Sequence, residues 1–197
     1  MRRNTIFLGS AVLGFLLWRQ ILTISGTVQY AFPERVEVEP EAVVVEAERI
    51  GVPARVEIPS IAVDAAIEKV ALAKDGSMDV PKRPLDVAWF EPGPRPGETG
   101  SAAIAGHVDD IRGKAAVFAD LHKVKPGDTI VVRDEAGTPT SFVVRESRKL
   151  AAAADATQVF SSTDGKAHLN LITCSGAWDA RAKQYAERLV VFADKAE

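Results

Sequence analysis

The chain has 197 residues, of which 47% are apolar and 26% are charged, enough for one ordinary globular core with some appended sequence. Its formal charge of -3 at pH 7, with no Lys/Arg-rich run beyond the extreme N-terminus, gives no electrostatic basis for binding nucleic acid. A single cysteine excludes an intramolecular disulfide, so burial of the core must hold the fold together.

The N-terminal 25 residues have the pattern of a membrane anchor. Arg2 and Arg3 precede an apolar stretch at 5–18 that resumes at 21–24, and together the two stretches supply the roughly 20 residues that cross a bilayer. No Ala-x-Ala cleavage pattern follows, so the segment favours an uncleaved anchor over a removed signal peptide. The positive-inside rule puts the N-terminus in the cytoplasm. We therefore predict a single-pass protein of the cell membrane with its remaining domain outside the cell.

Residues 26–52 have the composition of a linker. The segment is rich in glutamate, contains Pro33 and Pro40, and lacks a clear apolar period. We predict a flexible acidic tether there, with a reach of roughly 30 Å. The folded domain is then predicted to occupy residues 53–197.

From Pro53 onward, the sequence predicts a series of short strands. Apolar residues alternate with polar ones, or form short runs between Gly/Pro turns, in segments ending at Ile58 and at 61–67, 102–105, 129–133, 141–145, 169–173 and 189–192. Helical pattern is confined to 115–122 and 155–160. Many short strands without alternating long helices indicate a mainly β domain, either a barrel or a sandwich.

Two of these strands bring chemically useful side chains to one surface. Successive side chains of a strand point to opposite faces, so Cys174 faces outward if Leu171 faces the core. The same argument turns Arg188 outward if Leu189 faces inward. A thiol and a guanidinium could then stand side by side on the outside of the domain.

His107 is a candidate general base. It follows Gly106 at the end of a small-residue strand, and Asp109 and Asp110 behind it could cap the next segment or orient the ring. On the residues alone, a surface histidine without a special role is the favoured interpretation. One histidine with two neighbouring carboxylates lacks the spacing of a metal site, so no metal is predicted.

Five short motifs together resemble the sortases, the cysteine transpeptidases of Gram-positive cell surfaces. The motifs lie at 105–109, 118–121, 125–128, 171–174 and 185–191, and the resemblance runs from about residue 55 to 193. The sequence Ile-Thr-Cys-Ser-Gly is most similar to that of the actinobacterial class F group. The family pattern is Thr-Leu-x-Thr-Cys, and Asn170 departs from it at the first threonine.

The resemblance implies a closed eight-stranded barrel whose active groove lies on the outside. It implies that Cys174 is the nucleophile, that His107 is the acid/base, and that Arg188 steadies substrate and oxyanion. Thr173 is implied to line the site of the sorting signal. No metal or cofactor is expected.

The family reaction cleaves an LPXTG-like sorting signal between Thr and Gly, holds the acyl group as a thioester, and passes it to an amine of a cell-wall precursor. The implied partners are proteins that carry sorting signals, the cell-wall amine, and the membrane that holds the anchor. At reference pKa values, only about 1% of a Cys–His pair is thiolate with imidazolium at pH 7, a protonation scheme in which sortases are thought to work.

Two other functions remain open on the sequence. L,D-transpeptidases also combine an upstream histidine with a downstream cysteine, but in a Ser-x-Gly-Cys-x-Arg motif that differs from the sequence around Cys174. A noncatalytic, membrane-tethered β-domain that binds peptides is the other alternative. A catalytic thiol would separate the enzyme from the binding module.

Overall fold

A computed structural model of the chain describes residues 50–197. The predicted anchor at 1–25 and nearly all of the predicted linker at 26–52 lie outside these residues, so both stay predictions. Within the described part, no helix has the length and apolar character needed to span a bilayer.

The described residues form a closed eight-stranded barrel. Around the barrel the order is β1-β2-β3-β4-β7-β8-β6-β5, with parallel pairing of β2 with β3 and of β4 with β7, and antiparallel pairing elsewhere. The sequence left barrel and sandwich open, and the structure is the barrel implied by the resemblance. The strands are β1 (Pro53–Ile58), β2 (Val63–Val70), β3 (Val87–Phe90), β4 (Gly100–Gly106), β5 (Thr129–Asp134), β6 (Pro139–Ala151), β7 (Ala167–Asp179) and β8 (Gln184–Lys195).

Apolar side chains fill the interior of the barrel. Ile104, Phe118, Leu169 and Leu171 are fully buried, and Leu189 is nearly so. These residues belong to one continuous core to which all eight strands contribute. Alternation along each strand therefore leaves the opposite side chains on the outer wall.

A second, smaller apolar cluster covers part of that outer wall. The short helix α1 (Thr157–Phe160) packs Val159 against Val190 and Phe192 of β8. The buried Nδ2 of Asn170 donates a 2.7 Å hydrogen bond to the carbonyl oxygen of Val159. The departure from the family motif at Asn170 thus fastens α1 to β7.

The helix predicted at 115–122 is wrong. Only a 3-10 turn forms, at Leu121–Lys123. The backbone N–H of Phe118 donates to the carbonyl of His107 rather than to a helical partner, which ties this segment to the end of β4. The helix predicted at 155–160 is confirmed as α1, although shorter.

The strands also differ from prediction in number and length. β3 was not predicted, because its four apolar residues show no alternation and three of them are buried. β7 and β8 extend beyond 169–173 and 189–192 into an exposed hairpin. Exposed strand residues carry no apolar pattern by which a sequence could reveal them.

Candidate active site

Cys174 and Arg188 lie directly opposite each other on the outer wall. They form a register pair between β7 and the antiparallel β8, while Leu171 and Leu189 point into the core. Two residues beyond this pair, Gly176 and Ala177 oppose a single residue of β8, so a bulge separates the pair from the tip of the hairpin. The outward direction of both side chains, predicted from alternation, is confirmed.

The backbone holds the guanidinium of Arg188. Its Nη1 donates hydrogen bonds of 3.0 Å to the carbonyl oxygens of Tyr185 and Glu187. Among the described residues no carboxylate lies within ion-pair distance of it. Arg188 therefore keeps an uncompensated positive charge and further donors free for a ligand.

His107 lies next to Cys174, on the side opposite Arg188. In the parallel β4–β7 pair, Ala105 is the register partner of Ile172, so the residues two positions further on are His107 and Cys174. The hydroxyl of Thr173 donates a 2.8 Å hydrogen bond to the carbonyl of Gly106, which fixes the ends of the two strands together. The structure thus brings together the three residues that the sequence singled out.

The imidazole ring is oriented by the backbone and not by its acidic neighbours. Its Nε2 lies 2.8 Å from the carbonyl oxygen of Pro81, and since a carbonyl only accepts, Nε2 carries the hydrogen. Nδ1 is then the nitrogen that gains or loses a proton. Asp109 bonds to Tyr185 and Asp110 bonds to backbone N–H groups of its own loop, so the suggestion that either one orients the ring is wrong.

Gly106 is required by close packing beside His107. A Cβ at this position would lie 2.4 Å from Cδ2 of Phe118, a fully buried ring of the core. The ring of Phe118 thus fills the space that a side chain at 106 would need. The end of β4 can reach its position only with glycine there.

The three side chains open into one groove of about 620 Å³, which we call the thiol groove. Its surface is mainly apolar, with Ile172 and Val190 on the strands and α1 along one side. The segment 72–80 contributes further apolar residues. Besides Cys174, His107 and Arg188, the lining includes Leu72, Met78, Val80, Phe90, Leu150, Val159, Phe160 and several alanines.

Burial raises the pKa of the Cys174 thiol, and the charge of Asp109 acts in the same direction. The positive charge of Arg188 opposes them and lowers that pKa. The net direction is upward, so the thiol is protonated at neutral pH. A site of this kind reacts through a minor thiolate population.

Thr173 lines the thiol groove, where the resemblance leads us to expect the sorting signal, and its hydroxyl also joins two strands. The residue is buried, and its hydroxyl is engaged by the carbonyl of Gly106. This hydrogen bond serves to align β4 with β7.

Sequence reasoning missed one side-chain contact next to the site. The phenol of Tyr185 donates a hydrogen bond to Oδ2 of Asp109, 76 positions away in the chain. Nothing in the local pattern of either residue predicts this partner.

Among the described residues, no group of three His, Cys, Asp or Glu side chains is placed to hold a metal ion.

The comparisons with known proteins agree on one family. Residues 56–196 match the family model described as the Sortase domain. No curated protein matches the chain in sequence.

Solved structures share the fold at low sequence identity. A lid mutant of sortase A from Corynebacterium diphtheriae is 22% identical with a TM-score of 0.59, and the match covers 74% of this chain and 70% of that one. Sortase C-1 from Actinomyces oris is 23% identical with a TM-score of 0.57, covering 73% of both chains. Sortase C1 from Streptococcus agalactiae is 18% identical with a TM-score of 0.57, covering 73% of this chain and 67% of that one. At these identities the likeness is one of fold.

Proposed function

This chain belongs to the sortase family of cysteine transpeptidases, and we propose that it cleaves an LPXTG-like sorting signal and transfers the protein to a cell-wall amine. The observation that carries the proposal is the row formed by His107, Cys174 and Arg188 across three neighbouring strands. A thiol, a proton carrier and a fixed cation are the groups that acyl transfer through a thioester needs.

In the first half-reaction, the thiolate of Cys174 attacks the carbonyl carbon of the signal's threonine. Arg188 donates hydrogen bonds to the oxyanion that forms, and its planar fork suits this role better than the single ammonium of a lysine. His107 gives a proton to the departing glycine amine as the C–N bond breaks. The acyl group remains on Cys174 as a thioester.

In the second half-reaction, the acceptor amine attacks the thioester and loses a proton to His107. The C–S bond breaks, an amide forms, and Cys174 leaves as a thiolate. The cycle thus returns the histidine proton and the thiolate that it began with. Because the thiol pKa is raised, only a minor fraction of the enzyme is in the reactive form at neutral pH.

The apolar lining of the thiol groove supports the choice of substrate. Leucine and proline of an LPXTG-like signal would find apolar partners along Ile172, Val190 and α1. Binding there leaves the threonine carbonyl between Cys174 and Arg188. A polar signal peptide would fit this surface poorly.

The test is intact mass spectrometry of the full chain with an LPETG peptide. We expect a thioester adduct on Cys174 and, after addition of an amine, a transpeptidation product. Cys174→Ala should give neither, and His107→Gln should reduce both by at least about a hundredfold. His122→Gln is the matched control, since His122 lies on an exposed 3-10 turn and does not line the groove. Full activity of Cys174→Ala would refute the proposal, and an unaltered chain that binds the peptide but forms neither adduct nor product would favour a noncatalytic peptide-binding domain.

We also propose that residues 1–25 anchor the enzyme in the cell membrane and that the barrel lies outside the cell, with class F as its nearest sortase group. Support for the location comes from Arg2, Arg3 and the apolar stretches that follow. Protease added to intact protoplasts should digest the barrel. A barrel that survives until the cells are lysed would overturn the assignment.

A further inference from the structure

Tyr185 contacts the two functional segments that flank the thiol. Its phenol donates to the carboxylate of Asp109, which lies two residues after His107. Its carbonyl oxygen accepts from Nη1 of Arg188 at 3.0 Å. Tyr185 therefore links the segment that follows His107 to the guanidinium of Arg188.

The ring of Tyr185 is itself held in place. It packs edge-on against Trp178 across the hairpin, with 5.2 Å between ring centroids and 72° between ring planes. The two residues are register partners in β7 and β8. This contact between the two rings limits the positions that the phenol can take.

The loop at 108–115 has few other attachments through its side chains. Ile111 is fully exposed, and the carboxylate of Asp110 bonds only to backbone N–H groups within the loop. In the part of the chain that the structure describes, the bond from Tyr185 to Asp109 is the one side chain–side chain hydrogen bond between this loop and the rest of the barrel. Without this bond, no side chain–side chain hydrogen bond would join the loop to the described part of the barrel.

The same bond determines which partner Asp109 has. Asp109 is close enough to Cys174 for its charge to raise the thiol pKa, and Arg188 acts on the same thiol in the opposite direction. A carboxylate released from Tyr185 would be attracted to the uncompensated guanidinium of Arg188. That pairing would remove the cation from the thiol and from a developing oxyanion.

We propose that Tyr185 is a positioning residue of this site: its phenol holds Asp109 away from Arg188 and fixes the loop behind His107, while its carbonyl orients the guanidinium. The proposal rests on the proposed function only for its effect on catalysis. The charged or titratable side chains that surround the thiol are His107, Asp109, Tyr185 and Arg188.

The test compares Tyr185→Phe with the unaltered full chain. Acylation by an LPETG peptide should slow on the order of tenfold, the rate equivalent of one hydrogen bond to a charged group. The KM for the peptide should stay within about twofold, because Tyr185 and Asp109 do not line the thiol groove. Glu57→Gln is the matched control, because it alters a bond from Arg133 that also spans 76 positions but joins β5 to β1. Neither the acylation rate nor the KM should change in this control.

Alkylation of Cys174 by iodoacetamide as a function of pH tests the geometry without any peptide. Tyr185→Phe should move the midpoint to higher pH, on the order of half a unit, as Arg188 becomes paired. Adding Asp109→Asn should move it back, because no carboxylate remains to pair with Arg188. Asp109→Asn alone should lower the thiol pKa by removing its charge, so the double variant is compared with this single variant. Equal midpoints are expected, whereas a purely structural role for Tyr185 would leave the double variant shifted from Asp109→Asn.

Each outcome decides between the proposals. An unshifted alkylation midpoint in Tyr185→Phe, or a double variant whose midpoint differs from that of Asp109→Asn alone, would overturn the positioning role. Absence of peptide acylation in the unaltered chain, together with the predicted alkylation shifts, would sink the proposed function and leave the positioning role standing.

Discussion

Replacing Gly106 with alanine tests whether the Phe118 ring sets the position of His107. The new Cβ would lie 2.4, 2.8 and 2.9 Å from three atoms of that ring, whereas an ordinary contact is 3.4 Å or more. Phe118 is fully buried, so about 1 Å of relief must come from the core or from the end of β4. Overpacking of this kind costs roughly 1–3 kcal/mol of the free energy of unfolding.

Movement of β4 would also reduce catalysis. It would strain the 2.8 Å bond from Thr173 to the carbonyl of Gly106 and displace His107. A displacement near 1 Å can cost on the order of a hundredfold in rate. We therefore expect Gly106→Ala to slow acylation more than its loss of stability accounts for, as measured by mass spectrometry and by urea unfolding of the detergent-solubilised chain.

A second substitution makes this reasoning refutable. Phe118→Leu removes the ring atoms that clash and should cost roughly 1.5 kcal/mol alone. In the double variant the two effects should fall short of their sum by about 1–2 kcal/mol, because the leucine makes room for the new methyl group. If the two costs instead add to within about 0.5 kcal/mol, the ring is not what excludes a side chain at 106.

Three further substitutions or titrations follow from the site. Arg188→Lys keeps the charge but loses the planar fork, so kcat should fall by about a hundredfold with a small change in KM; steady-state kinetics that show an equal rise in KM would contradict the role in the transition state. Because burial raises the pKa of Cys174, the midpoint of its alkylation should lie above that of the urea-unfolded chain, near 8.5, and a lower midpoint would mean that Arg188 outweighs burial. Asn170→Ala should lower the free energy of unfolding by about 1–3 kcal/mol, measured by calorimetry, and should raise the peptide KM because α1 loses its hydrogen bond to β7. An unchanged KM would show that apolar packing alone holds α1 against the barrel.

Alternation along single strands was enough to predict which way the chemistry faces. Leu171 and Leu189 are apolar residues with strong reasons to enter the core, and their neighbours in the pleat had to point outward. Such a pattern is local, so one sequence contains it. This is why the outward direction of Cys174 and Arg188 could be predicted without any coordinates.

The position of His107 could not be obtained in the same way. It reaches Cys174 through the parallel pairing of β4 with β7, strands that are far apart in the sequence, and the residues themselves allowed an idle surface histidine. The resemblance to sortases, not the pattern, supplied that assignment. The bond between Asp109 and Tyr185 is similarly non-local, and no motif marked it.

The helix predicted at 115–122 shows how tertiary contacts override a local pattern. The segment has a plausible helical period, but its backbone N–H groups are drawn to the end of β4, as the bond from Phe118 to His107 shows. Asn170 is the opposite case. The sequence identified it as a departure, and only the structure gave the reason, a bond to α1.

The turn at residues 180–183 can be exchanged without turning the thiol, because the bulge at Gly176 and Ala177 and the Trp178–Tyr185 pair lie between this turn and Cys174. Adding one residue within β7 before Cys174 would turn the thiol into the hydrophobic interior, whereas changes beyond Asp179 and before Gln184 leave the inward and outward assignment of the thiol untouched. Evolution or a protein engineer can therefore graft tips of different length and composition onto this enzyme.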